Sequence, residues 1–169
     1  MNSDGETLGD LLVDAASQVF ADHGMALADA MRCSPVPDWL DPIAVIGFAG
    51  ETLRATASLE VPWRVLQATH PSRSAATDDL TDWVSELANL TVGLLKRRLR
   101  ARGVLVQPGL PLSFTTRPAH SAAMSASHLQ YRLRSPEGSV LVRLTSETTA
   151  GFVLGPPVPT EALRAIELF

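Results

Sequence analysis

The chain has 169 residues, 46% hydrophobic, 19% charged and 5% aromatic, a balance that excludes a disordered tail, a collagen-like repeat and a disulfide scaffold. One domain spanning residues 1–169 is expected, because a chain of this length buries roughly 70% of its unfolded surface without metal or disulfide support. A net charge of −4 argues against nucleic acid as a partner.

Cys33 is the only cysteine, which excludes an internal disulfide and a thiolate metal cluster supplied by one chain. Residues 1–10 lack the basic start and apolar stretch of a signal peptide, and no apolar run approaches the ~20 residues of a bilayer span. A cytoplasmic location without membrane insertion is the expectation.

In chain order, Leu8, Leu11, Leu12, Ala15 and Val19 follow the spacing of an amphipathic helix that ends near Gly24. Pro35, Pro37 and Pro42 mark an extended connection, and the apolar run 43–48 reads as a buried strand. Leu53, Ala55, Ala57 and Leu59 alternate with Arg54, Thr56, Ser58 and Glu60, the pattern of a strand with one wet face. The turn 47–50 between these runs is too short for a crossover, so an antiparallel hairpin is predicted.

A short helix over 62–67 and a polar break over 70–77 follow. Residues 78–102 then form the strongest helical pattern, acidic at the start, basic at the end, with Gly103 just beyond. Residues 110–115 read as a strand, 128–145 as a second hairpin turning at 135–138, and 160–168 as a closing helix. The order predicts an α+β domain, an antiparallel sheet with long helices packed on one face.

On the central helix, at about 100° per residue, Asp82, Glu86, Asn89 and Gly93 fall within a stripe about 60° wide. Trp83, Leu87, Leu90 and Leu94 supply a separate apolar face, continued by Val84, Thr91 and Leu95. A purely structural account fits this stripe too: acidic residues favour the positive end of a helix, asparagine faces water, and glycine admits a packing neighbour. The run from Lys96 to Arg102 is likewise open to two readings, complement to the helix dipole or a partner-docking patch.

The pattern Asp82-x-x-x-Glu86-x-x-Asn89-x-x-x-Gly93, followed by Pro111 at the head of an apolar segment, resembles the signature helix of the CheC/CheX chemotaxis phosphatases. The turn Ile46-Gly47-Phe48-Ala49-Gly50 resembles that between the family's first two strands, and the likeness extends over residues 40–145. No other glutamate is followed by asparagine three residues on, so one site per chain is expected, as in the CheX-like branch. That resemblance implies a homodimer and a phosphorylated CheY-like receiver domain as substrate.

By the same resemblance, Asn89 orients the water that attacks the receiver's aspartyl phosphate, and Glu86 pairs with the receiver's lysine. Asp82 and Gly93 are accessory, and Mg2+ is expected on the receiver, with no cofactor or metal bound by this chain. Such a reaction asks the protein mainly for positioning and charge stabilisation, which explains a motif without a nucleophile. The alternative is a receiver-binding or flagellar-switch-like adaptor of the same fold that lacks catalysis, with a structural homodimer as a third reading.

Other features offer less. His23, His70, His120 and His128 form no zinc-binding spacing, and the small-residue stretch 121–127 lacks the setting of a nucleophilic serine and reads as a loop. No glycine-rich phosphate loop is present. Trp39, Trp63 and Trp83 read as core or interface anchors.

Overall fold

The computed structural model describes residues 7–34, 41–72, 74–115 and 127–158. Its elements are, in chain order, α1 (Leu8–Asp22), β1 (Ala28–Arg32), β2 (Ile43–Ala49), β3 (Leu53–Glu60), α2 (Trp63–Thr69), α3 (Thr77–Arg100), β4 (Gln107–Pro108), β5 (Leu112–Phe114), β6 (Ser127–Ser135) and β7 (Gly138–Thr148). The predicted closing helix at 160–168 lies outside the described residues, as do residues 121–126 of the stretch read as a loop. Ser127 opens β6.

Local chemistry sets the helix starts. Thr7 caps α1 reciprocally: its hydroxyl accepts from the Asp10 amide (3.2 Å), and the Asp10 carboxylate accepts from the Thr7 amide (2.9 Å). At α3 the Asp79 carboxylate accepts from the Ala76 amide (3.1 Å), while Ala76 has no side-chain acceptor to offer in return.

All strands pair antiparallel in one seven-stranded sheet of order β1-β6-β7-β3-β2-β4, with β5 also on β2. Both predicted hairpins form, but the first turns at residues 50–52 and not at 47–50, because Gly47, Phe48 and Ala49 continue β2 and pair with β3. One sheet face carries Ala44, Ile46, Phe48, Leu53, Leu59, Val142 and Leu144, all buried against the helices. There α1 lies over β6 and β7, while α3 lies over β2 to β5 and against α1.

Burial of the inner side of α3 fixes its rotation. Leu87, Leu95 and Leu99 are fully buried, each contributing roughly 2 kcal/mol of apolar transfer free energy. Near its start, Trp83 Nε1 donates to Thr69 Oγ1 (3.1 Å), and the His23 and His70 rings stand edge-on to the indole at 5.0 and 5.4 Å. Near its end the chain returns toward the β2–β3 turn, where a Cβ on Gly50 would collide with the Leu105 carbonyl oxygen. Only glycine permits that approach.

Two strands are absent from the sequence pattern. β1 is exposed at every position, and Asp29 takes φ 51° at a register shift against β6, so neither periodicity nor burial announces it. β4 is a two-residue pairing with the end of β2.

The second sheet face is also drier than alternation implies, since Glu60 is 8% exposed, Gln130 2% and Arg143 5%. Arg143 Nη2 donates to Glu60 Oε2 and its Nε to Gln130 Oε1, both at 2.7 Å. Gln130 Nε2 in turn donates to the Ser34 carbonyl (3.1 Å), tying three strands to the segment after β1. Glu60, which reads as part of a solvated face, thus belongs to a buried network that is affordable only because its polar groups satisfy one another.

Candidate functional site

The inner contacts of α3 turn a narrow sector of the helix outward. Asp82, Glu86 and Asn89 are all exposed, and none of their side chains makes a hydrogen bond or ion pair with another described residue. Along the axis they stand roughly 6 Å and then 4.5 Å apart, with Gly93 roughly 6 Å further on. A Cβ on Gly93 would meet nothing within 4 Å. Gly93 therefore serves no helix packing and leaves the backbone beside Asn89 open.

Exposure of Asp82, Glu86 and Asn89 agrees with both accounts of the stripe, whereas the open space beside Gly93 departs from the structural one, in which glycine admits a packing neighbour. Carboxylates and an amide free in solvent can meet an incoming surface. Asn89 has both a donor and an acceptor available, which suits holding a water, and Glu86 offers acceptor oxygens to a cation. Leu90, 37% exposed, flanks them as an apolar contact.

This site is borne on a helix surface and not in a pocket. A cleft does exist on the second sheet face, about 320 Å³, lined by Asp41, Glu60, Pro62, Arg132 and Leu141 among others. Burial there raises the pKa of the Asp41 carboxyl, partly offset by a hydrogen bond from the Trp63 backbone amide. Sequence reading missed this cleft, because Asp41 follows a proline-rich connection and the other residues come from strands far apart in the chain.

Among the described residues no group of three or more His, Cys, Asp and Glu side chains stands close enough to hold a metal ion. No helix among them is long and apolar enough to cross a membrane. Most of the basic run at the end of α3 is engaged in tertiary contacts: Lys96 Nζ donates to Gln107 Oε1 (3.2 Å), Arg98 pairs with Asp14 (3.2 Å), and Arg102 donates to the Gly155 carbonyl (3.3 Å).

An antiparallel sheet covered on one face by α1 and by a long helix with an open Glu-x-x-Asn stripe defines the architecture: the chain has the CheC/CheX fold. A CheC-like superfamily protein from Shewanella sp. PV-4 matches with a TM-score of 0.70 at 18% identity, over 87% of this chain and 99% of that one. The chemotaxis protein CheX from Vibrio vulnificus matches at 0.70 and 16%, over 83% and 99%. The CheX–CheY–BeF3–Mg2+ complex from Borrelia burgdorferi contains a chain that matches at 0.63 and 13%, over 85% and 99%. No protein-family model matches the sequence, and no curated protein matches it.

Proposed function

We propose that this chain is a CheX-like phosphatase that hydrolyses the aspartyl phosphate of a CheY-like receiver domain. The observation that carries the reading is the exposed Glu86–Asn89 stripe beside an open Gly93, on the central helix of a CheC/CheX fold. A neighbour of this fold in complex with CheY supports the choice of partner.

In this reading the stripe docks over the receiver's phosphorylated aspartate. The Asn89 amide holds a water in line with the phosphorus. The water oxygen bonds to phosphorus as the bond from phosphorus to the aspartyl oxygen breaks, the carboxylate leaves, and the water's proton passes to the phosphate product or solvent. Glu86, one turn earlier, accepts a hydrogen bond from the receiver's lysine and fixes the register. Mg2+ is held by the receiver's own carboxylates and neutralises phosphoryl charge. Asp82 adds negative charge on the same side as Glu86.

The primary test is phosphate release from a phosphorylated receiver in Mg2+, with and without this chain. Acceleration of the decay is the expected result, whereas binding without acceleration favours the non-catalytic adaptor. Two variants probe the docking half of the reading. Glu86→Ala should weaken binding about 30-fold, the cost of roughly 2 kcal/mol for removing one partner of an interfacial charged pair, as measured by titration calorimetry.

Gly93→Leu should separate docking from folding. A helical glycine with open space beside it costs roughly 1 kcal/mol relative to a good helix former, so the variant should melt at higher temperature. Its side chain nevertheless fills the space where the receiver would approach, and binding should fall about tenfold, or roughly 1.4 kcal/mol. A variant that is both stabilised and fully able to bind would remove Gly93 from the docking surface.

A sheet-edge homodimer is also part of the CheX-like reading. Among the described residues the sheet ends at β1 on one side and at the β4–β5 segment on the other, and either edge could take the second copy. Sedimentation velocity of the full chain tests it.

A further inference from the structure

The exposed sector of α3 does not end at Gly93. Arg97 follows Glu86 by eleven residues, about three turns, which brings it back to within about 20° of the same direction and roughly 16 Å further along the axis. Its side chain is exposed and makes no ion pair or hydrogen bond with another described residue, in contrast to the engaged side chains of Lys96, Arg98 and Arg102 beside it.

The outer face of the helix is therefore bipolar. Asp78, Asp79, Asp82 and Glu86 make one end negative, Asn89, Leu90 and Gly93 form a neutral middle, and Arg97 makes the other end positive. We propose that Arg97 is a second docking contact, a positioning residue that engages a carboxylate-rich surface of the partner beside its phosphoryl group. This inference rests on the reading that the stripe docks a phosphorylated receiver.

The chemistry of the substrate supplies the complement. A protein site that holds Mg2+ against an acyl phosphate is built largely from carboxylates, so the rim around the phosphoryl group carries negative charge. With the helix laid one way, that rim faces Arg97 while a partner lysine meets Glu86. Laid the opposite way, the same rim would face the four carboxylates at the start of α3. Such like-charge juxtaposition suppresses the wrong orientation, and the favourable one steers encounter. Contact made by an exposed cation acts mainly on association and is sensitive to salt, because the Debye length is about 10 Å at 0.1 M.

The test is stopped-flow association with a Mg2+-loaded receiver carrying beryllofluoride, comparing wild type, Arg97→Glu, Arg97→Lys and Arg134→Glu. Arg134 is exposed on β6, so its reversal changes net charge equally at a distance from the stripe. Arg97→Glu should slow association about tenfold at low salt, with the difference closing near 1 M, where the Debye length is about 3 Å. Arg97→Lys should stay close to wild type, and Arg134→Glu should change the rate less than about twofold and leave turnover at saturating receiver unaltered. Equal rates for the two charge reversals, or a deficit that does not respond to salt, would overturn the role of Arg97 while leaving the phosphatase reading intact. Failure of folded wild type to bind the receiver would remove the phosphatase reading and this inference together.

Discussion

Replacing Asn89 by alanine is expected to lower receiver dephosphorylation by about 10²-fold, the loss that follows removal of one positioned polar group from an active site. The Asn89 side chain is exposed and bonded to no other described residue, so the variant should keep its melting temperature, with stability changed by no more than about 0.5 kcal/mol. Receiver binding should also persist, because docking is assigned to Glu86, Gly93 and Arg97. Single-turnover decay of phosphorylated receiver, measured at saturating concentrations of each protein, isolates the chemical step. Decay as fast as with wild type would rule out Asn89 as the group that orients water, whereas decay slowed in parallel with binding would make it a docking contact.

Replacing Glu60 by alanine is expected to cost about 3–5 kcal/mol of stability, seen as a lower midpoint in urea denaturation. The Arg143 guanidinium would remain buried, keeping its bond to Gln130 but losing the carboxylate at 2.7 Å. Typical domains have only about 5–15 kcal/mol in total, so this is a large share. Replacing both partners by apolar residues of similar volume should instead recover only part of the loss, because desolvation of the pair offsets much of its Coulombic attraction while the buried Gln130 Oε1 loses its donor. A Glu60→Ala midpoint within error of wild type would mean that water reaches Arg143 when the carboxylate is gone.

The elements most legible in the sequence are those whose side chains report their own burial. Leu8 to Val19, Leu53 to Leu59 and the apolar face of α3 all show the correct period, because one side packs on a core and the other meets water. The candidate site was legible for the same reason: with the apolar side of α3 accounted for, Asp82, Glu86, Asn89 and Gly93 could only turn outward. β1 was not legible, since an edge strand exposed at all five positions carries no period and exists through its pairing with β6. Glu60 misled because alternation identifies which face a residue occupies and says nothing of whether that face is covered. Arg97 was noticed only as part of a basic run; its separation from Lys96, Arg98 and Arg102 depends on tertiary partners that no local pattern contains.

The open stripe of α3 also bears on how such a protein changes over time. Its proposed recognition residues take no part in the core, and substitutions at positions of this kind usually alter stability by less than about 0.5 kcal/mol. Partner preference can therefore drift one surface residue at a time, with the packed interior neither resisting nor recording the change. On the proposed function, chains of this fold could serve different receivers while remaining superimposable, and exchanging the outward residues of one central helix should be enough to redirect them.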